Sequence, residues 1–194
     1  MIRQCCDCKR IWVSGQWVHP TPELLSAQAL ADHLVRIVAV EGPVHGDEIT
    51  TRVRTLWGVT RAGARLKSAV ADALRIAVGR GDVVEAAGFY TTPDQPIVVR
   101  DRAQTTSAGL KKPDLLPPVE LDQAIISIVT ENFGATRADL IVAVARRLGF
   151  AATGAALRAR LSERIDDLLG QGRLIPRGLA RAVTKRIGGG RGRT

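Results

Sequence analysis

The sequence predicts a mainly α fold with small β-hairpins, of the α+β class, and three observations carry that expectation. First, the chain repeats itself. Displaced by 91 positions, the second half overlays the first without a gap: Ile37-Val38 falls on Ile128-Val129, Trp57-Gly58 on Leu148-Gly149, and Gly63-Ala64 on Gly154-Ala155. Second, apolar residues recur at helical spacing in three stretches of each copy, separated by turns that carry glycine. Third, a run of β-branched and aromatic residues around Ala87-Gly88 closes the first copy, as a hairpin would. A period this long exceeds that of a solenoid repeat, so each copy should be a small domain. Three helices followed by a hairpin is the winged-helix order, a helix-turn-helix with an appended ribbon. The expectation is therefore two tandem winged-helix units.

Residues 1–19 hold all three cysteines and two of the three tryptophans. They read as an unstructured leader, or as the end of something upstream. The first unit is expected over 20–100. Thr21-Pro22-Glu23 offers a cap residue with proline at the first helical position, and Leu30, Leu34, Ile37 and Val38 then form a helical stripe. Gly42-Pro43 ends that helix, because proline cannot continue it. Val44-His45 suits a very short strand, with His45 capping or packing the turn before a second helix that carries Ile49, Val53, Leu56 and Trp57. Gly58 stops this helix. After the VTRAG turn, Leu66, Val70, Leu74 and Val78 recur every fourth residue, which gives a third helix one buried face. Residues 83–85 and Phe89-Tyr90 then flank the Ala87-Gly88 turn as the wing.

A proline-rich linker is expected over 101–118, with Ile97-Val98-Val99 ahead of it suited to an outer strand on the first wing. The second unit, 119–178, repeats the plan. Its helices are expected over 120–131, 137–148 and 154–169 and its strand over 173–175, with Phe133 and Phe150 in core-like slots. Residues 179–194 end in GGGRGRT, a composition that builds no core and reads as a basic flexible tail.

Composition bounds the function. A hydrophobic content of 45% argues against a largely disordered chain. No apolar run approaches the roughly 18 residues of a membrane span, and the N-terminus lacks a signal-peptide pattern. Cysteines crowded at Cys5, Cys6 and Cys8 do not suit a disulfide framework, so a reduced, cytoplasmic protein is expected. Cys5, Cys8 and His19 could offer three metal ligands, one short of a structural zinc set and without a second ligand pair; no metal is expected. Phosphate-binding loops, paired metal histidines and nucleophile elbows are missing as well. Neighbouring acids such as Asp47-Glu48 and Asp166-Asp167 do not face one another on a helix, and suit helix N-termini or solvated surface. The chain reads as no enzyme, with no cofactor.

The net charge of +9 is concentrated at the end, where residues 173–194 hold seven basic side chains and no acid. Such tails bind polyanions, nucleic acid above all, or simply keep a protein soluble. With the apolar stripe of the third helix turned inward, Arg61, Arg65, Lys67, Arg75 and Arg80 lie in the turn or on other faces. The second copy offers Arg158, Arg160 and Arg164, with Arg146 and Arg147 on its second helix. In a helix-turn-helix the third helix enters the major groove, and guanidinium groups suit contacts to phosphate or guanine. The expected nucleic-acid-binding set is Arg61, Arg65, Lys67, Arg158 and Arg160, joined by Arg173, Arg177, Arg181, Lys185 and Arg186. The partner is duplex nucleic acid, DNA foremost, since seven aromatics make no stacking platform for single strands. The alternative is a protein-interaction adaptor, docking on a partner or dimerising, with the basic surface incidental.

At VEGPVHGDEITTRVRTLWGVTRAGARL the chain resembles a bacterial domain of unknown function, one typically found at the C-terminal end of very large superfamily-one helicase proteins with a Vsr-like endonuclease domain. The likeness spans residues 24–175, including IVVRDR and, in the second copy, ARRLGF. A weaker similarity links it to helix-turn-helix domains associated with helicases, restriction enzymes and chromatin proteins, where a G-P-x-H turn also precedes helix two. The resemblance implies an accessory DNA-binding or DNA-sensing role beside a helicase or nuclease partner, in defence or repair, and supplies no catalytic residue. Residues 1–19 and the basic tail depart from the family pattern.

Overall fold

The computed structural model describes residues 3–4, 11–13, 16–18, 25–58, 60–132 and 136–175. The chain divides into two compact units, 1–96 and 97–194. Its make-up is mainly helical with small antiparallel sheets.

In the first unit, β1 (Arg3–Gln4), β2 (Ile11–Val13) and β3 (Gln16–Val18) pair in that order as an antiparallel sheet, with Trp12 opposite Trp17. This departs from the unstructured leader expected over 1–19. Two runs of β-branched and aromatic residues separated by Ser14-Gly15 have the composition of paired strands. Helix α1 (Ala27–Glu41) starts later than Thr21-Pro22, because Ser26 supplies its cap: the Oγ accepts the Ala29 N–H at 3.1 Å. Gly42-Pro43 ends α1 as expected, and β4 (Val44–His45) leads into α2 (Gly46–Leu56). After the turn comes α3 (Ala64–Gly79), then a hairpin of β5 (Val84–Ala86) and β6 (Phe89–Thr91). Ala87 and Gly88 both adopt positive φ (52° and 80°), the conformation that lets a two-residue turn follow the strand twist. The short β4 lies beside β6, Val44 opposite Tyr90 and His45 opposite Phe89, so the hairpin is tied to the start of α2.

Leu30, Leu34 and Val38 of α1 meet Ile49 and Val53 of α2 and Leu66, Val70 and Leu74 of α3 in one core. Val78 is not part of it, being 38% exposed. A four-residue repeat advances about 40° too far per step on a helix of 3.6 residues per turn, so by the third step Ala77 holds the inward slot.

The second unit contains α4 (Pro118–Asn132), α5 (Arg137–Arg147) and α6 (Ala155–Gly170). Each is the same length as its counterpart in the first unit and displaced by the same 91 positions. The left-handed glycines Gly58 and Gly81 recur as Gly149 and Gly172. Leu121, Ile125, Val129, Leu140, Val144, Leu157, Leu161 and Ile165 build the second core.

Three expectations for this unit need correction. The strand expected over 173–175 is a single bridge residue, Leu174. Ile97-Val98-Val99 add no strand to the first hairpin; they fall in the second unit, where Val99 packs on the second core. The linker expected over 101–118 is likewise part of this unit, with 3-10 turns at Gly109–Lys111 and Pro113–Leu115. Its anchor is Glu120, which has no exposed surface. That carboxylate accepts the Arg100 N–H at 2.8 Å and both terminal guanidinium nitrogens of Arg102 at 2.7 Å. The Arg102 N–H in turn donates to the Leu148 carbonyl at 3.0 Å. Phe133 lies outside the described residues; Phe150 is half-buried against the core, as is Trp57 in the first unit.

Candidate nucleic-acid interface

Between α2 and α3 the chain reverses at Gly58, whose φ of 66° ends the second helix. Arg61 stands in this turn, Arg65 and Lys67 in the first turn of α3, and all three are exposed. Among the described residues no side chain of the three has a hydrogen-bond or ion-pair partner. Neighbouring arginines are engaged. Arg54 donates to the Thr60 carbonyl at 3.3 Å, Arg75 pairs with Asp72 at 2.8 Å, and Arg80 pairs with Asp32 at 2.9 Å and Asp82 at 2.7 Å. The N-cap of α3 is Gly63, which brings no side chain to the free N–H groups at the helix start.

Lys67 also lines an open cleft of about 270 Å³ between the start of α2, the flank of α3 and the hairpin turn at Gly88. Val70 and Leu74 form its apolar side, while His45, Asp47, Thr50 and Tyr90 contribute polar atoms. His45 fixes the geometry. Its Nδ1 accepts the Asp47 N–H at 3.1 Å, capping α2, and its ring meets Phe89 edge-on at 5.1 Å. A side chain at position 88 would come within 3.2 Å of the His45 Nε2 and would be strained at this φ of 80°, which suits glycine to the turn that closes over the imidazole. Burial first, and the Glu85 carboxylate second, push the Tyr90 phenol up, which keeps it a neutral hydrogen-bonding group.

The second unit differs at the matching positions. Arg61, Arg65 and Lys67 fall on Ala152, Ala156 and Arg158. Arg158 is exposed, and its side chain has no partner among the described residues. Arg160 pairs with Glu163 at 2.9 Å, and Arg173 lies 3.6 Å from Asp122. Arg164 is drawn inward onto Asp122 at 2.8 Å, and Arg147 pairs with Glu131 at 2.6 Å. Arg146 stays exposed. The fold therefore brings Arg61, Arg65 and Lys67 together at one helix start and leaves Arg158 alone at the other. Arg177, Arg181, Lys185 and Arg186 lie outside the described residues, as do Cys5, Cys8 and His19.

Residues 24–68 are matched by the family described as a protein of unknown function (DUF3320). The match runs from just before α1 to the first turn of α3, so it holds all three unpaired cations and most of the cleft's polar rim. It supports a domain of unknown function in the first unit. No curated protein and no solved structure matches the chain. Among the described residues no cluster of histidine, cysteine and acid is placed to hold a metal ion, and no helix is long and apolar enough to cross a membrane.

Thr50 in the cleft and the exposed apolar residues Val40 and Leu56 are not among the residues the sequence singles out as a site. Thr50 gave no signal, since a threonine inside an amphipathic helix is ordinary. Val40 and Leu56 did give one: they are apolar, and at the matching places the other copy carries Glu131 and Arg147.

Proposed function

We propose that the chain is a non-catalytic module that binds duplex nucleic acid, DNA foremost, largely through backbone phosphates. The observation that carries this reading is the set Arg61, Arg65 and Lys67, unpaired among the described residues and gathered at the uncapped start of α3 beside the hairpin. Helix N-termini attract phosphate, and unpaired guanidinium groups next to one add charge-assisted bonds. A winged-helix assignment is supported in the first unit by the order helix, short strand, helix, helix, hairpin, with β4 closing the sheet against β6. The cations beyond residue 176 add a polyelectrolyte contribution. Resemblance at the EGPVH and RAGARL motifs is the ground for an accessory role beside a helicase or nuclease in bacterial DNA defence or repair, in the cytoplasm.

The test is fluorescence anisotropy of the full chain with labelled duplex DNA across a salt series. Binding that weakens steeply with salt, and weakens further in the Arg61→Ala/Arg65→Ala chain, supports the reading. Affinity untouched by that double substitution removes the helix start from the interface and leaves the reading without its site.

A further inference from the structure

A second surface of the first unit is apolar where its repeat is charged. Ile37 and Val40 of α1 and Leu56 and Trp57 at the end of α2 line an open groove of about 350 Å³. Val40 is 83% exposed and Leu56 67% exposed. Single exposed apolar residues are ordinary, but here the molecule supplies its own control. At the matching positions of the second unit stand Glu131 and Arg147, which face each other across α4 and α5 and close the same place with an ion pair at 2.6 Å. One scaffold position is thus adapted to water in one copy and left apolar in the other.

Charge says what kind of occupant fits. The groove's rim carries Arg36, which is exposed and without a partner among the described residues. The neighbouring Arg52 is already met by Glu41 at 2.6 Å and Glu48 at 3.3 Å. A second copy of this chain would bring the same unpaired Arg36, and Glu41, the carboxylate that lines the groove, is already held by Arg52, so like charge opposes self-association there. Its C-terminal cations are no better suited. A phosphate backbone has no apolar group to set between Val40 and Leu56. We propose that the groove between α1 and α2 docks an acidic amphipathic segment of a partner protein, two apolar anchors on Val40 and Leu56 and a carboxylate on Arg36. Helix-in-groove recognition uses this arrangement of anchors.

A displayed random-peptide library panned against the full chain supplies the probe, and the enriched peptide is then titrated by anisotropy. The expected peptides carry paired apolar anchors with Asp or Glu, and bind the Val40→Glu/Leu56→Arg chain about thirtyfold more weakly, the scale of a lost hot spot. That exchange installs the pair the second unit already uses, and circular dichroism checks that the fold is kept. Arg36→Glu, at an exposed site, should weaken the same peptide by an amount that shrinks as salt is raised. The proposal is overturned if no peptide is enriched, if the enriched peptides lack acid, or if they bind both variants like the unsubstituted chain. It is also overturned if the chain sediments as a dimer that Val40→Glu/Leu56→Arg dissociates, because a second copy then covers the groove.

Discussion

Glu120 has no exposed surface and yet is held ionised. Burial alone would push its carboxyl up; the hydrogen bonds and charges of Arg102 and Arg100 outweigh that and hold it below the ordinary carboxylate range. Unfolding releases the group to its usual value of about 4.3. The folded state therefore binds the proton less readily than the unfolded one, and the stabilisation is fully present above about pH 4.3 and lost as pH falls through the lower folded value. Urea midpoints should decline on that acid limb. The surface pair Arg137–Asp166 also lowers its acid, through the hydrogen bond and the charge of the arginine, but salt screens an exposed pair. The part of the acid limb that survives high salt is accordingly assigned to Glu120. Glu120→Gln should remove it and should destabilise the second unit at neutral pH by about 3–5 kcal/mol, since Arg102 would remain buried without its counter-charge. A loss below about 1 kcal/mol in urea unfolding would mean that Arg102 finds water instead. A similar logic applies to Asp122 and Arg164, which stand where the first unit packs Ala31 and Ala73. Removing both should cost less than the sum of the two single losses, and the coupling is readable in a double-mutant cycle.

The elements show what the repeat preserves and what each copy adds. Gly58 and Gly149 occupy the same turn with φ of 66° and 82°, so alanine at either pays for a left-handed backbone, about 1 kcal/mol. Their surroundings differ. A Cβ at position 58 meets nothing within 4 Å, whereas one at 149 runs into the Asp101 carboxylate and the backbone nitrogens of Arg102 and Ala103. Gly58→Ala should therefore cost about 1 kcal/mol in chemical unfolding. Gly149→Ala should cost clearly more, because the segment that carries Arg102 must move. Equal costs would show that this segment is loosely held. This contrast also marks the boundary of what the sequence reveals. Helix positions were legible because Ile49, Val53, Leu66, Val70 and Leu74 repeat their spacing at Leu140, Val144, Leu157, Leu161 and Ile165, and period is a local property. The pairing of Arg102 with a carboxylate 18 residues away obeys no spacing rule, so the prolines around it suggested a free linker. The hairpin after α3 was legible from Ala87-Gly88. The pairing of β2 with β3 leaves a weaker mark, because strands of three residues are too short to show a period.

For the whole molecule, the two copies present unequal charge to a polyanion. The start of α3 has three unpaired cations among the described residues; the start of α6 has Arg158 alone, with Ala152 and Ala156 in the other two places. The cleft beside Lys67 is closed on one side by the hairpin turn, and no hairpin follows α6 among the described residues. Each phosphate contact contributes about 0.9 to the slope of log affinity against log salt on duplex DNA. The triple change Arg61→Ala/Arg65→Ala/Lys67→Ala should flatten that slope by up to about 2.7, and Arg158→Ala by no more than about 0.9. Cations beyond residue 176 are common to all variants, so their contribution cancels in the comparison. Placing the missing charges in the second copy, as Ala152→Arg/Ala156→Arg at two exposed positions, completes the argument. If phosphate contact depends on cations at the helix start, that exchange should steepen the slope by up to about 1.8. If the slope stays where it was, charge at this position is not sufficient for phosphate contact.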